Sequence, residues 1–304
     1  MIYFDWLNEW LATWVKPLVK VRTYEKYDSI VRKQIVPKLG GHNVDELSAK
    51  ILQQFTAELS ETYSANTVAG IVAVVKSSLI CAQNTGRVAK QFSSCIKNPK
   101  AREKEITCFS SSEQRKLEKY ILASDRPKLF GITLCLYTGL RIGELLALEW
   151  ADIDFRRKTL TVTKTCRDSW ENGVFTKVID TPKTEASRRK IPLPAPLIPY
   201  LKEMKAKSKS PFVISGAHAE LPIRFYQRTF ENILQKLGLP HRGFHALRHT
   251  FATRALECGM DVKSLSAIMG HKNAAVTLKR YAHALEEHSA VMMNKLGKIF
   301  VAGD

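Results

Sequence analysis

Apolar residues recur along the first ~95 positions at the three- and four-residue spacing of helices that each bury one stripe. Trp6, Leu7, Trp10, Leu11 and Trp14 form one stripe. Tyr24, Tyr27, Ile30 and Val31 form a second, which stops near Pro37 and the Gly40–Gly41 pair. Leu47, Ile51, Phe55 and Leu59 form a third; Val68, Ile71, Val72, Val75 and Leu79 form a fourth, ending before Asn84-Thr85-Gly86. Helix packing accounts for all four. A polar, basic stretch with Pro99 follows over 96–109. It predicts a linker, and Lys97, Lys100, Arg102 and Lys104 give it the charge to track a phosphate backbone. Ser110 with Glu113 three residues on predicts a capping box opening a new helix.

The remainder reads as helical with one β insertion. Residues 159–165, 173–180 and 187–193 carry β-branched residues and partial alternation. Lys183 falls in the turn between the last two. Residues 244–259, FHALRHTFATRALECG, place Leu247, Phe251 and Ala255 on one buried face. The same helix carries His245 and Arg248, which share a neighbouring face. A cation beside a core needs an anionic partner, because burying it unpaired is costly. The fold class expected is mainly α with a small antiparallel β insertion, in two parts: a helical domain over 1–97, a linker over 98–109 and a second domain over 110–304.

Charge narrows the kind of partner. Lys and Arg number 47 against 29 Asp and Glu, a formal net charge of +18, and such a surplus points to a polyanion, above all nucleic acid. The six cysteines, at 81, 95, 108, 135, 166 and 258, are scattered and form no CxxC pair. That excludes a disulfide framework or zinc knuckle and suits reduced thiols. Asp5 and Glu9 interrupt the apolar N-terminus and spoil a signal peptide. The apolar window 129–140 is shorter than the ~20 residues of a membrane span. A cytoplasmic protein with no membrane partner is expected.

Four separated sites carry possible chemistry. In TGLRIGELLALEW (138–150), Gly139 marks a helix boundary, Arg141 follows, and Glu144 stands three residues on. Lys183 lies on its turn. His245 and Arg248 form the third site. In IMGHKNAAVTLKRYAH, His271 follows Gly270, and Tyr281 comes ten residues later. His245 and His249, four apart, could in principle share a metal, but HALRH lacks the acidic residue of the HExxH pattern.

Together these segments resemble one family. TGLRIGELLALEWADIDF, TPKTEASRRKIPL, HALRHTFATRALECGMDVKSLSAIMGH and TLKRYAH are similar, in order and spacing across roughly 110–285, to the tyrosine recombinases of the phage-integrase family. The N-terminal helices resemble that family's core-binding (SAM-like) domain. The resemblance implies an α+β catalytic domain and a site-specific recombinase or integrase of a phage or other mobile element. A Xer-type chromosome-dimer resolvase and a type IB topoisomerase-like relaxing enzyme are the alternatives. It makes Tyr281 the nucleophile of a 3′-phosphotyrosyl intermediate, and Arg141 and Arg248 the phosphate-binding arginines, with His271 a further donor. It makes His245 an aid to proton transfer at the tyrosine, Lys183 the general acid, and Glu144 a supporting residue. No cofactor and no metal are implied. The partners implied are double-stranded DNA recombination sites, a homo-tetramer on DNA, and an accessory excisionase or host DNA-bending protein. An arm-DNA-binding domain ahead of the core-binding domain is not expected. The tail after Tyr281, acidic at Glu286 and Glu287 and then apolar at Val291, Met292, Met293, Leu296, Ile299 and Phe300, is expected to dock on a neighbouring protomer.

Overall fold

The computed structural model describes residues 1–88, 97–99, 107–124, 126–171, 174–180, 187–215, 221–271, 273–275, 277–278, 281, 293–294 and 297. The chain divides into two compact units, Met1–Lys104 and Glu105–Asp304. Lys183 and the tail, apart from Met293, Asn294 and Gly297, lie outside the described residues, as does most of the basic segment between the units.

The first unit is helical. Helix α1 (Tyr3–Glu9) runs on as a π-helical turn, Trp10–Val15. Helix α2 (Val21–Ile30) likewise passes through a π-helical Val31–Ile35 into α3 (Val36–Leu39). Helices α4 (Ala49–Thr62) and α5 (Ala65–Asn84) complete the unit. The π turn corrects one expectation. Trp14 should have joined the apolar stripe but is 42% exposed, and Val15 is buried in its place. The amide of Lys16 bonds five residues back to the Leu11 carbonyl at 2.9 Å. That wider turn moves the inward position one residue along. Helix α5 meets the length and apolarity of a membrane span, which attention to 129–140 alone overlooked. In the structure it is the core helix of this unit: Val68, Ile71, Val72, Val75 and Leu79 are buried. Ser78 on α5 meets the Tyr3 hydroxyl at 2.7 Å and accepts from the Trp6 indole through its carbonyl at 3.0 Å, tying α1 to α5.

The second unit opens with α6 (Ser111–Leu122) behind the expected capping box: the Glu113 amide donates to Ser110 Oγ at 3.2 Å, and the Ser110 amide donates to the Glu113 carboxylate at 2.8 Å. Helix α7 (Phe130–Thr138) is buried nearly all round and forms the centre of the core. Around it lie α8 (Ile142–Leu146), α9 (Leu197–Lys207), α10 (Ile223–Lys236), α11 (His245–Glu257) and α12 (Val262–Met269). The β insertion is two small antiparallel sheets. Strands β1 (Ile153–Asp154), β2 (Thr159–Val162) and β5 (Arg189–Pro192) form one, in the order β1-β2-β5, with Leu160 opposite both Ile153 and Ile191. Strands β3 (Thr165–Glu171) and β4 (Val174–Asp180) form the other. The stretch 159–165, expected as one strand, is thus divided between two sheets. Strand β3 was missed because Arg167, Asp168 and Glu171 hide its pattern.

Candidate active site

Arg248 holds the site together. It sits on α11, the helix whose Leu247, Phe251 and Ala255 face the core as expected. Its side chain is almost wholly buried, and it donates one hydrogen bond to the Gly139 carbonyl and another to the Met269 carbonyl, each 2.5 Å. Gly139 lies two residues before Arg141, and Met269 two before His271, so one guanidinium joins the segments bearing both. Gly139 caps α7 in the left-handed region, with φ +63°, and a β-carbon there would come 2.5 Å from the Phe251 ring. Glycine is the residue this turn accepts.

Arg141 stands at the N-cap of α8 with its side chain 38% exposed. Its guanidinium donates to Glu144 Oε1 at 2.8 Å, and its amide to Oε2 at 2.9 Å. Glu144 is buried, so this is no surface ion pair. Both its oxygens also accept from Arg189, at 3.1 and 2.8 Å, in a buried fork of the kind that fixes planar groups. Arg189 reaches on to the Ile268 carbonyl at 2.5 Å. Burial by itself would raise the Glu144 carboxyl, but the hydrogen bonds and charge of Arg189, with the charge of Arg141, hold it below its ordinary value. Desolvation, joined by the charge of Arg141, pushes the Arg248 guanidinium down to about 9. Two arginines crowded this way call for an anion.

His271 follows Gly270, which ends α12 with φ +62°, and its Nδ1 lies 2.6 Å from Thr277 Oγ1. Tyr281 is fully buried against α11 and α12, among Phe251, Ala252, Ala255, Leu256, Leu265 and Met269. Its hydroxyl lies 2.7 Å from Nδ1 of His249. The family resemblance had put His245 in that place. His245 occupies the exposed start of α11, one turn away, with its ring edge-on to that of His249 at 4.7 Å. The structure thus gathers Arg248, His249 and Tyr281, with Arg141, Glu144 and His271 linked through Arg248 and Arg189. Lys183 lies outside the described residues; the strand leading towards it is pinned by Lys177, which donates to the Leu146 carbonyl at 2.7 Å and lies 4.0 Å over the Phe212 ring.

Sequence reasoning missed two residues. Arg189 had a signal: in Arg-Lys-Ile-Pro it occupies the inward register shared with Ile191. His249 had none that pairs it with a tyrosine 32 positions away.

Comparison with known proteins gives the family of the chain. The phage integrase family matches residues 103–288, and the phage integrase N-terminal SAM-like domain matches residues 3–60. The chain belongs to the phage integrase family. This integrase is 29% identical to a "Tyrosine recombinase XerC-like" protein of Caldanaerobacter subterraneus subsp. tengcongensis, over 98% of the chain and 83% of that protein. It is 27% identical to the transposase of transposon Tn916 from Enterococcus faecalis, over 86% and 69%, and 24% identical to the integrase of Staphylococcus phage L54a, over 96% and 92%. Among solved structures, the Tn1549 transposon integrase in complex with transposon right end DNA superposes with a TM-score of 0.84 at 22% identity, over 98% of this chain and all of that one. A lambda integrase dimer bound to a COC′ core site gives 0.72 at 17%, over 92% and 95%. The integrase is a tyrosine recombinase of phage or transposon type, an enzyme that cleaves and rejoins DNA.

Proposed function

We propose that the chain recombines double-stranded DNA at specific sites of a mobile element through a 3′-phosphotyrosyl link to Tyr281. The observation that carries this is the placement of Arg248. Its guanidinium bonds the ends of the segments carrying Arg141 and His271, and the next residue, His249, meets the Tyr281 hydroxyl. A phosphodiester resists nucleophiles because it is an anion, and its transition state gathers charge on the non-bridging oxygens. Arginine offers five N–H donors. Among the described residues two of these go to carbonyls from Arg248, whose other donors are proposed to turn to the phosphate, and the half-exposed Arg141 grips it from another segment. His271 adds a donor, and His245, exposed at the start of α11, faces outward to the DNA. Lys183 protonates the departing 5′-oxygen. The covalent link conserves the bond energy, so rejoining needs no ATP.

Assembly as a tetramer on paired sites draws support from the lambda integrase tetramer bound to a Holliday junction, which superposes with a TM-score of 0.70. An excisionase or host DNA-bending protein would set the direction of exchange, and the cytoplasm is where such DNA is met. The domain limits proposed are 1–97 for core binding, 98–109 for the linker and 110–304 for catalysis. Chromosome-dimer resolution is the second reading, favoured by the XerC-like relative. The test is a nicked recombination site that traps the covalent adduct. Tyr281→Phe is expected to abolish the adduct and to leave DNA binding intact; an adduct formed by the Phe variant would disprove the assignment.

A further inference from the structure

Attack by a phenol needs somewhere for its proton to go, since phenols ionise near pH ~10. His245, the histidine that the family resemblance assigns to that task, is exposed and one helical turn from His249. His249 is half-buried, and its Nδ1 is 2.7 Å from the hydroxyl of a tyrosine with no exposed surface. The distance suits direct transfer. The surroundings suit it too. His245 and Arg248 flank His249 on α11, and Arg141, Glu144 and Arg189 group around Arg248. Among the described residues, Arg248 lies close enough for its charge to act on the Tyr281 phenol. The packed residues of α12 named above, Leu265 and Met269, bring no charge.

We propose that His249, and not His245, is the proton acceptor for Tyr281. Taking Tyr281 as the nucleophile, the step balances as follows. The lone pair on His249 Nδ1 takes the phenolic proton, and the phenolic oxygen's electron pair forms the bond to phosphorus. The bond from phosphorus to the 5′-oxygen breaks, and that oxygen takes a proton from Lys183. In rejoining, the imidazolium returns its proton to the tyrosine oxygen as the phosphotyrosyl bond breaks. His245 is left to the substrate side.

The test uses the full-length protein with single-turnover adduct formation on a nicked site. His249→Asn keeps a polar atom near Nδ1 but does not take up a proton. Adduct formation is expected to slow by roughly 10²–10⁴-fold. A fluorinated tyrosine at 281, whose phenol ionises near neutral pH, is expected to restore most of that loss in His249→Asn and none of the loss in His245→Asn. Equal impairment with both tyrosines, or a His249→Asn rate within a few-fold of wild type, overturns the proposal. If His249→Asn and His249→Gln both fail to fold, ¹⁵N-histidine spectra of the unsubstituted protein decide. One Nδ1 resonance should be that of an unprotonated, hydrogen-bonded nitrogen that shifts in Tyr281→Phe; a protonated Nδ1 in that position at neutral pH refutes it. An adduct in Tyr281→Phe would remove the nucleophile assignment as well. Loss of the adduct there with a wild-type rate in His249→Asn would remove the proton-acceptor role alone.

Discussion

Replacing Arg189 with methionine should cost the enzyme both stability and cleavage, because Arg189 is buried behind Arg141, the arginine proposed to grip the phosphate. Arg189 and Glu144 each expose only 5% of their side chains, so water screens the pair little. Removing one partner of a buried ion pair leaves an uncompensated charge and costs about 3–5 kcal/mol. Arg141 remains on Glu144 and holds the figure towards the lower end. For the catalytic unit of about 200 residues, at ~2–4 °C per kcal/mol, the melting temperature should fall by about 6–20 °C. The pH dependence has a definite sign. Because Glu144 is held below its ordinary value, the native ion pair stabilises the fold above the usual carboxyl range and fades as pH falls through the lowered value. In Arg189→Met the carboxyl loses its largest stabilising partner and takes a proton more readily, so the deficit against wild type should be greatest near neutrality and shrink in acid. Thermal melts from pH ~4 to ~8 span the ordinary carboxyl range and measure this. Glu144→Gln added to Arg189→Met should recover most of the melting temperature, since no charge is then stranded. Cleavage should stay low in the double variant, since Arg141 has lost the carboxylate that orients it. A single variant melting within about 2 °C of wild type at neutral pH would refute a stability role on this scale.

Arg141→Ala and Arg248→Ala should each cut cleavage of bound DNA by roughly 10²-fold or more while shifting affinity modestly, because most affinity comes from the whole basic surface; single-turnover rates beside binding isotherms separate the two. Lys183→Ala should be badly impaired on ordinary DNA and rescued when sulfur replaces the bridging 5′-oxygen, because a thiolate leaves without a proton; equal impairment on both substrates removes the general-acid role. Gly139→Ala meets a left-handed backbone and the Phe251 ring at once. It should destabilise by at least ~1–2 kcal/mol and slow cleavage through the displaced Arg248 contact, seen as a lower melting temperature with a lower rate for bound DNA.

Much of this was written locally and could be read locally. The apolar stripes of α4 and α5, the capping box at Ser110 and the buried face of α11 follow from spacing alone. Gly139 marked a helix end, and it adopts positive φ there, as Gly270 does at the end of α12. Arg248 stood out as a cation beside a core, while the phosphate-binding roles of Arg141 and Arg248 came from the family resemblance. Other parts are properties of the folded chain. Arg189 meets Glu144 across 45 positions, and His249 meets Tyr281 across 32. Neither spacing belongs to a helix or a hairpin. Strand β3 stayed hidden because its charged residues serve neighbours elsewhere: Asp168 accepts from the amides of Ile223 and Arg224 at the start of α10.

The π-helical turns at Trp10–Val15 and Val31–Ile35 bear on how this integrase is aligned with its relatives. A π turn is what a helix makes of one extra residue when its two ends must keep their places in the core. Past Leu11 and again past Val31, the inward positions therefore slip by one against an unbroken helical count. An alignment that carries plain helical periodicity through these points would set Trp14 against a core residue and Val15 against a surface one. A relative whose first helix has no π turn should reach the equivalent of Val15 with one residue fewer. Gaps placed inside these helices, where alignment practice least expects them, would then record ancestry and not error.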